Sequence, residues 1–281
     1  MTKPLDATIT LPGSKSITNR ALVAAAIADG TSLLKNVLLA DDTRIMIEAL
    51  RALGIAITVD EAECLAEVTG CRGQLPVSGA ELFCGNSGTT MRFCAALTAL
   101  GHGRYQLDGI ERMRQRPIGQ LIEVLRVLGV GIEYVGHEGF PPITVYAGGL
   151  HGGQVSFHSP RSSQFVSALL LAAPYATRDL LIEVTGDIPS TPYLRTTTAV
   201  MEWFGVAVIE QYRAGDIRFI VEAPQRYQGV TLTIEPDASN AMYFLAAAAV
   251  AGGCVTVEGL GTNSIQGDNR FLDLLERIGC R

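Results

Sequence analysis

The chain has 281 residues, 48% of them apolar and 18% charged, which is enough for one large or two ordinary domains with a sizeable core. A formal net charge of -6 argues against nucleic acid or an anionic membrane surface as the main partner. Six cysteines with no CxxC pair, no His at metal-ligand spacing, no apolar run of membrane-span length and no leader-like start in MTKPLDATIT indicate a metal-free cytoplasmic protein.

The chain opens on an extended, alternating lead, Ala7 to Leu11, that breaks at Pro12-Gly13. Ser14, Lys15 and Ser16 follow in a tight turn, and an apolar helix is expected behind Arg20. Amides at a helix N-terminus lack intrahelical acceptors and carry the positive end of the dipole, so an anion is stabilised there. Lys15 and Arg20 add full charges and Ser16 a hydroxyl. A Ser-capped helix with two surface cations is the plainer alternative for this stretch alone.

A two-helix pattern then recurs with a period of roughly 75 residues. The second helix of each unit is IEALRALG, IEVLRVLG, TAVMEWFG or LDLLERIG, ending at Gly54, Gly129, Gly205 and Gly279. Apolar side chains fall one, four and five positions before each Gly, which makes a helical stripe with a left-handed stop. The first helices are Ala-rich and start near Arg20, Met91, Gln164 and Ala241. Strand-like runs such as LLKNV, YQLDG, LLIEV and CVTVEG follow them, and pairs such as IAITVD and LAEVTG follow the second helices. The expected class is α/β (α+β), built of repeated βαβαββ units with small-residue helices packed inward under sheets. Units one to three continue for two strands beyond the closing Gly, whereas the fourth stops two residues after Gly279.

The helix entrances differ where a purely structural repeat needs them least to differ. Gly85-Asn86-Ser87-Gly88-Thr89 opens on a glycine-bracketed turn, in which Gly88 is expected to leave room for an anion. Ser162-Ser163-Gln164 offers short hydrogen-bonding side chains, while Glu235-Pro236-Asp237 is acidic. Arg112, Arg114 and Arg116 alternate before a helix expected to begin at Pro117, a repulsive arrangement without an anion or acid nearby. Ser190-Thr191-Pro192-Tyr193 supplies hydroxyls at the matching place in the third unit. The four histidines lie away from any nucleophile pattern and receive no catalytic role.

Seven ordered motifs, LPGSKSITNRAL, GNSGTTMR, ERMRQRPIG, SSQF, STPY, DASNAMYFLAAA and NSIQGDNRF, together resemble the 5-enolpyruvylshikimate-3-phosphate (EPSP) synthase family over essentially the whole chain. The resemblance implies transfer of an enolpyruvyl group from phosphoenolpyruvate to the 5-hydroxyl of shikimate 3-phosphate, without metal or organic cofactor. It implies an inside-out, barrel-like fold: residues 14–234 form one complete domain of three units, and residues 1–13 with 235–281 form part of a second. It assigns Lys15 to both substrates. Shikimate 3-phosphate falls to Ser16, Arg20, Ser162, Ser163, Gln164, Ser190 and Tyr193, and phosphoenolpyruvate to Asn86, Gly88, Arg116 and Gln164. The catalytic aspartate and glutamate of the family, a further lysine and several arginines lie beyond the last residue, so a complementing C-terminal fragment is an expected partner. Phe93 stands where many members have Pro. The sister transferase acting on UDP-N-acetylglucosamine carries a cysteine in the loop that here reads RMRQRPIG, which disfavours it.

Overall fold

The computed structural model describes residues 5–213 and 215–280. The first unit runs β1 (Leu5–Ile9), α1 (Lys15–Ile27), β2 (Thr31–Lys35), α2 (Asp41–Ala52), β3 (Ala56–Asp60) and β4 (Leu65–Thr69). The second runs β5 (Gly79–Phe83), α3 (Gly88–Thr98), β6 (His102–Asp108), α4 (Gly119–Val127), β7 (Gly131–Tyr134) and β8 (Ile143–Gly148). The third runs β9 (Gly153–His158), α5 (Ser163–Ala172), β10 (Leu180–Thr185), α6 (Pro192–Trp203), β11 (Ile209–Arg213) and β12 (Asp216–Val221). The fourth holds β13 (Thr231–Thr233), α7 (Ala238–Ala251), β14 (Gly253–Val257) and α8 (Phe271–Arg277).

The repeat in sequence is a repeat in topology. In the second unit β5 pairs parallel with β6, β6 antiparallel with β8, and β8 antiparallel with β7. The third unit reproduces this with β9, β10, β12 and β11. The first unit does so only by borrowing: its sheet is β13-β2-β4-β3, and β13 comes from the start of the fourth unit. In exchange, β1 crosses over to pair parallel with β14, Leu5 opposite Gly253 and Ile9 opposite Val257. The first and fourth units have therefore traded leading strands.

The three four-stranded sheets lie outside and the helices inside. Strands such as β4 and β10 alternate exposed or half-buried residues with buried ones, so each presents one face to the helices. Helices α1, α3 and α5 are buried almost all round, with Ala21, Ala24, Ala25, Ala95, Ala96 and Ala168 letting their backbones approach. Helix α3 packs on α5, α5 on α6, and α1 on both α6 and α2. The four stops behave as expected, for Gly54, Gly129, Gly205 and Gly279 all have φ between 84° and 100°, where a Cβ is strained. Helix α7 has the same Ala-rich character as α1 but exposes Tyr243, Phe244 and Val250, the last at 89%.

Two boundaries differ from the sequence expectation. Helix α1 begins at Lys15, so Arg20 lies inside it and is buried at 3% exposure instead of preceding it. Helix α4 begins at Gly119, because Met113–Gln115 forms a 3-10 turn that carries the chain past Pro117 in extended geometry. Among the described residues no helix is long and apolar enough to cross a membrane.

Candidate functional site

The N-termini of α1, α3, α5 and α6 converge on one polar cleft of about 390 Å³. The first unit contributes Lys15, Ser16 and Arg20 to its lining, and the second Asn86, Gly88 and Arg116. The third contributes Ser162, Ser163, Gln164, Ser190 and Tyr193. All eleven residues singled out in the sequence thus line a single space, together with Asp42, Thr89 and Arg161.

Arg20 sets the electrostatics. Its Nε donates to Thr197 Oγ1 at 2.7 Å, and its two terminal nitrogens donate to Ser16 O, Ser167 Oγ and Tyr193 O at 2.9, 3.2 and 3.2 Å. The guanidinium also sits over the rings of Phe93 and Tyr193, 5.4 and 5.8 Å from their centroids. Every acceptor is neutral. A buried cation without a carboxylate is destabilised, and burial pushes Arg20 down to about 10. An anion in the cleft would supply the missing countercharge.

Arg92 repeats this situation in the second unit, and sequence reasoning missed it. The residue is 5% exposed, donates to Gln164 Oε1 at 2.9 Å and Pro117 O at 3.2 Å, and lies over Phe165. Burial, with the neighbouring charge of Arg116 adding to it, lowers Arg92 to about 10. Its place in GNSGTTMR, four residues into a helix whose start faces an anion site, was the available signal.

The second-unit arginines separate by role. Arg114 pairs with Asp108 through Nε at 2.9 Å and Nη2 at 2.5 Å, which supplies the acid the sequence called for. Arg112 bonds Gln115 at the surface. Only Arg116 turns to the cleft, donating to Asn86 O at 2.7 Å. Gly88 is required here for a different reason from the one expected: a Cβ there would overlap the guanidinium ends of Arg92 and Arg116. Its missing side chain admits two cations to this side of the cleft.

Lys15 Nζ lies 3.3 Å from Asp42 Oδ2, both partly exposed, so the pair restrains Lys15 without neutralising the cleft. The first amide of α1 is not free for a ligand, since it donates to Asp237 Oδ2 at 3.0 Å. This corrects the reading of the α1 entrance as a bare amide site. The groups left at this entrance to face an anion are the Lys15, Ser16 and Arg20 side chains. Ser162 caps α5 by accepting from Gln164 N at 3.2 Å. Ser190 is held at φ 57°, a left-handed conformation that costs a non-glycine residue on the order of 1 kcal/mol or more and is stored at the cleft wall. The Tyr193 hydroxyl donates to Asp268 Oδ2 at 3.4 Å, and burial, then the Asp268 charge, raises its pKa.

A cleft that gathers cations and hydroxyls at several helix starts, inside a fold of repeated βαβαββ units, has the chemistry to accommodate small polyanions. A family profile described as EPSP synthase (3-phosphoshikimate 1-carboxyvinyltransferase) matches residues 1–281. The chain belongs to that family. It is 47% identical over 281 residues to the 3-phosphoshikimate 1-carboxyvinyltransferase of Nostoc punctiforme, covering 100% of this chain and 65% of that relative. The Escherichia coli protein of the same name is 47% identical over 278 residues, 98% of this chain and 64% of that one. The solved EPSP synthase of Acinetobacter baumannii superposes with a TM-score of 0.80 at 25% identity, covering 94% of this chain and 57% of the other. The chain thus spans somewhat under two thirds of the length of the relatives it matches.

Proposed function

We propose that the chain carries the substrate-gathering part of an EPSP synthase, which transfers the enolpyruvyl group of phosphoenolpyruvate to the 5-hydroxyl of shikimate 3-phosphate and releases phosphate. The observation that carries this reading is Arg20, buried without any carboxylate partner at the wall of a cleft lined by hydroxyls and further cations. Ser162, Ser163, Ser190 and Tyr193 bind the phosphate of shikimate 3-phosphate, with Ser16, Arg20 and Gln164 completing that side. Asn86, Gly88 and Arg116 hold phosphoenolpyruvate, and Lys15 and Gln164 reach both substrates. Holding two polyanions together overcomes their repulsion and removes the entropic barrier of encounter. The same cations stabilise charge that builds up as phosphate departs.

The exchange of β1 and β13 supports a division in which residues 14–234 form one domain and residues 1–13 with 235–281 contribute to a second. A cytoplasmic setting accords with six unpaired cysteines, two of them fully buried. A second reading is a binding module that captures shikimate 3-phosphate and turns over only with a C-terminal partner chain. The exposed apolar face of α7 favours it, since the corresponding α1, α3 and α5 are covered. The test is phosphate release from both substrates by this chain, alone and mixed with a family C-terminal half, with calorimetric titration of shikimate 3-phosphate. Turnover by the chain alone would show that it carries acid/base groups of its own and would overturn the second reading, whereas turnover only in the mixture supports it. Absence of shikimate 3-phosphate binding overturns both.

A further inference from the structure

The Gln164 side chain stands at the start of α5 and reaches across to α3. Its Oε1 accepts from Arg92 Nη1 at 2.9 Å, and its Nε2 donates to Thr89 Oγ1 at 3.1 Å. A primary amide turned by 180° exchanges its oxygen and nitrogen, and an isolated cleft glutamine populates both orientations. Here only one is allowed, because a guanidinium donates and never accepts, whereas a threonine hydroxyl does either. The reversed amide would set N–H against N–H beside a buried cation, leaving both unpaired. Nε2 carries two hydrogens, Thr89 takes one, and Gln164 and Thr89 both line the cleft. The second hydrogen remains for a ligand.

Arg92 is itself held for this task. Its Nη2 donates to Pro117 O at 3.2 Å, its plane lies over Phe165 with 5.4 Å to the ring centroid, and the residue is 5% exposed. Its Nε is buried without a partner. A side chain chosen only to fill the space between α3 and α5 would be apolar, because removing a buried, unpaired charge is neutral or stabilising.

We propose that Arg92 is a positioning residue that locks the Gln164 amide in one orientation, so that Nε2 presents a fixed N–H to an oxyanion in the cleft. The proposal rests on the reading of the cleft as the shikimate 3-phosphate site, and extends it to a residue outside the lining.

The experiment uses the 281-residue chain labelled with nitrogen-15. The Gln164 side-chain amide is identified by its loss in Gln164→Ala, and its proton exchange is measured without ligand in the wild type and in Arg92→Met. The lock requires exchange at least about tenfold faster in Arg92→Met, and a smaller change overturns it. Calorimetric titration with shikimate 3-phosphate then closes a double-mutant cycle. Arg92→Met should weaken binding about tenfold in the wild-type background and less than about twofold in the Gln164→Ala background. Equal losses in both backgrounds would assign Arg92 a structural role and sink the proposal. If the wild type does not bind shikimate 3-phosphate, the functional reading fails, and the ligand-free exchange measurement still decides the lock. Should Arg92→Met not fold, Arg92→Lys takes its place, since an ammonium lacks the rigid planar fork that holds Gln164 Oε1 and Pro117 O at fixed positions. A smaller loss of about threefold is expected there, again confined to the Gln164 background.

Discussion

The carboxylate of Asp237 accepts the backbone N–H of Lys15 at 3.0 Å, across 222 residues of sequence. Its other oxygen accepts the N–H of Asn240 at 3.0 Å, so one buried side chain caps α1 and α7 together. The backbone repeats the link, with Ser14 N donating to Glu235 O at 2.8 Å and Asp237 N to Pro12 O at 3.0 Å. This is where the two traded strands cross, and the cap fixes the helix that carries Lys15, Ser16 and Arg20.

Asp237→Ala is expected to destabilise the chain by about 2 kcal/mol, roughly one for each lost cap. Asp237→Asn keeps a single acceptor oxygen and should lose about half as much. Urea denaturation of the three proteins measures the difference. A loss below about 0.5 kcal/mol in Asp237→Ala would show that α1 does not depend on this cap.

Arg20→Met separates binding from stability. The acceptors that Arg20 leaves behind are already partnered: Ser167 and Thr197 bond each other at 2.8 Å, and Tyr193 O accepts from Thr197 at 2.8 Å. Replacing the buried cation by an apolar chain of similar length should therefore leave the thermal midpoint nearly unchanged or slightly raised. Shikimate 3-phosphate affinity should fall at least tenfold, about 1.4 kcal/mol. Calorimetry and thermal melting on the same preparation decide between this and a structural role, in which both quantities would fall.

Much of the scaffold was legible because the repeat writes each rule four times. A Gly at the left-handed stop and an apolar stripe behind it identify a second helix wherever they recur. The cleft was legible because Lys15, Gly88 and Gln164 stand at helix starts among cations and hydroxyls, even though the α1 amide itself is taken by Asp237. What stayed hidden depends on long-range geometry. Nothing local says that β13 leaves its own unit to join β2, or that Asp237 spends a carboxylate on the α1 amide. Arg92 was hidden for the same reason, since its partners Gln164 and Pro117 lie 72 and 25 residues away.

The buried thiols give the chain an alkaline limit. Burial pushes Cys94 up to about 12 from an ordinary 9. Between those values the unfolded thiol ionises while the folded one stays protonated, so the unfolded state holds fewer protons and stability falls as pH rises. The contribution is fully present below pH 9 and is lost at about 1.4 kcal/mol per pH unit above it. Cys94→Ala introduces a small cavity at every pH but removes this slope. The stability gap between the wild type and Cys94→Ala, measured by urea denaturation, should therefore shrink by roughly 1 kcal/mol from pH 8 to pH 10. A gap independent of pH would mean that the Cys94 thiol ionises normally in the folded chain.

Gly88→Ala tests the reason for the glycine. The new Cβ would overlap the ends of Arg92 and Arg116, both long side chains, instead of backbone. The fold should absorb this with little change in thermal midpoint, with Arg116 moving off the cleft wall and Arg92 shifting behind it. In an enzyme completed by a family C-terminal half, the KM for phosphoenolpyruvate should rise about tenfold or more, as charge-assisted contacts are lost. Shikimate 3-phosphate should weaken by a smaller factor than phosphoenolpyruvate, because Arg20 and the third-unit hydroxyls are untouched while the displaced Arg92 nitrogen is the one that bonds Gln164. Equal losses for both substrates would mean that Gly88 supports the cleft as a whole. An unchanged KM would mean that Arg116 does not face phosphoenolpyruvate.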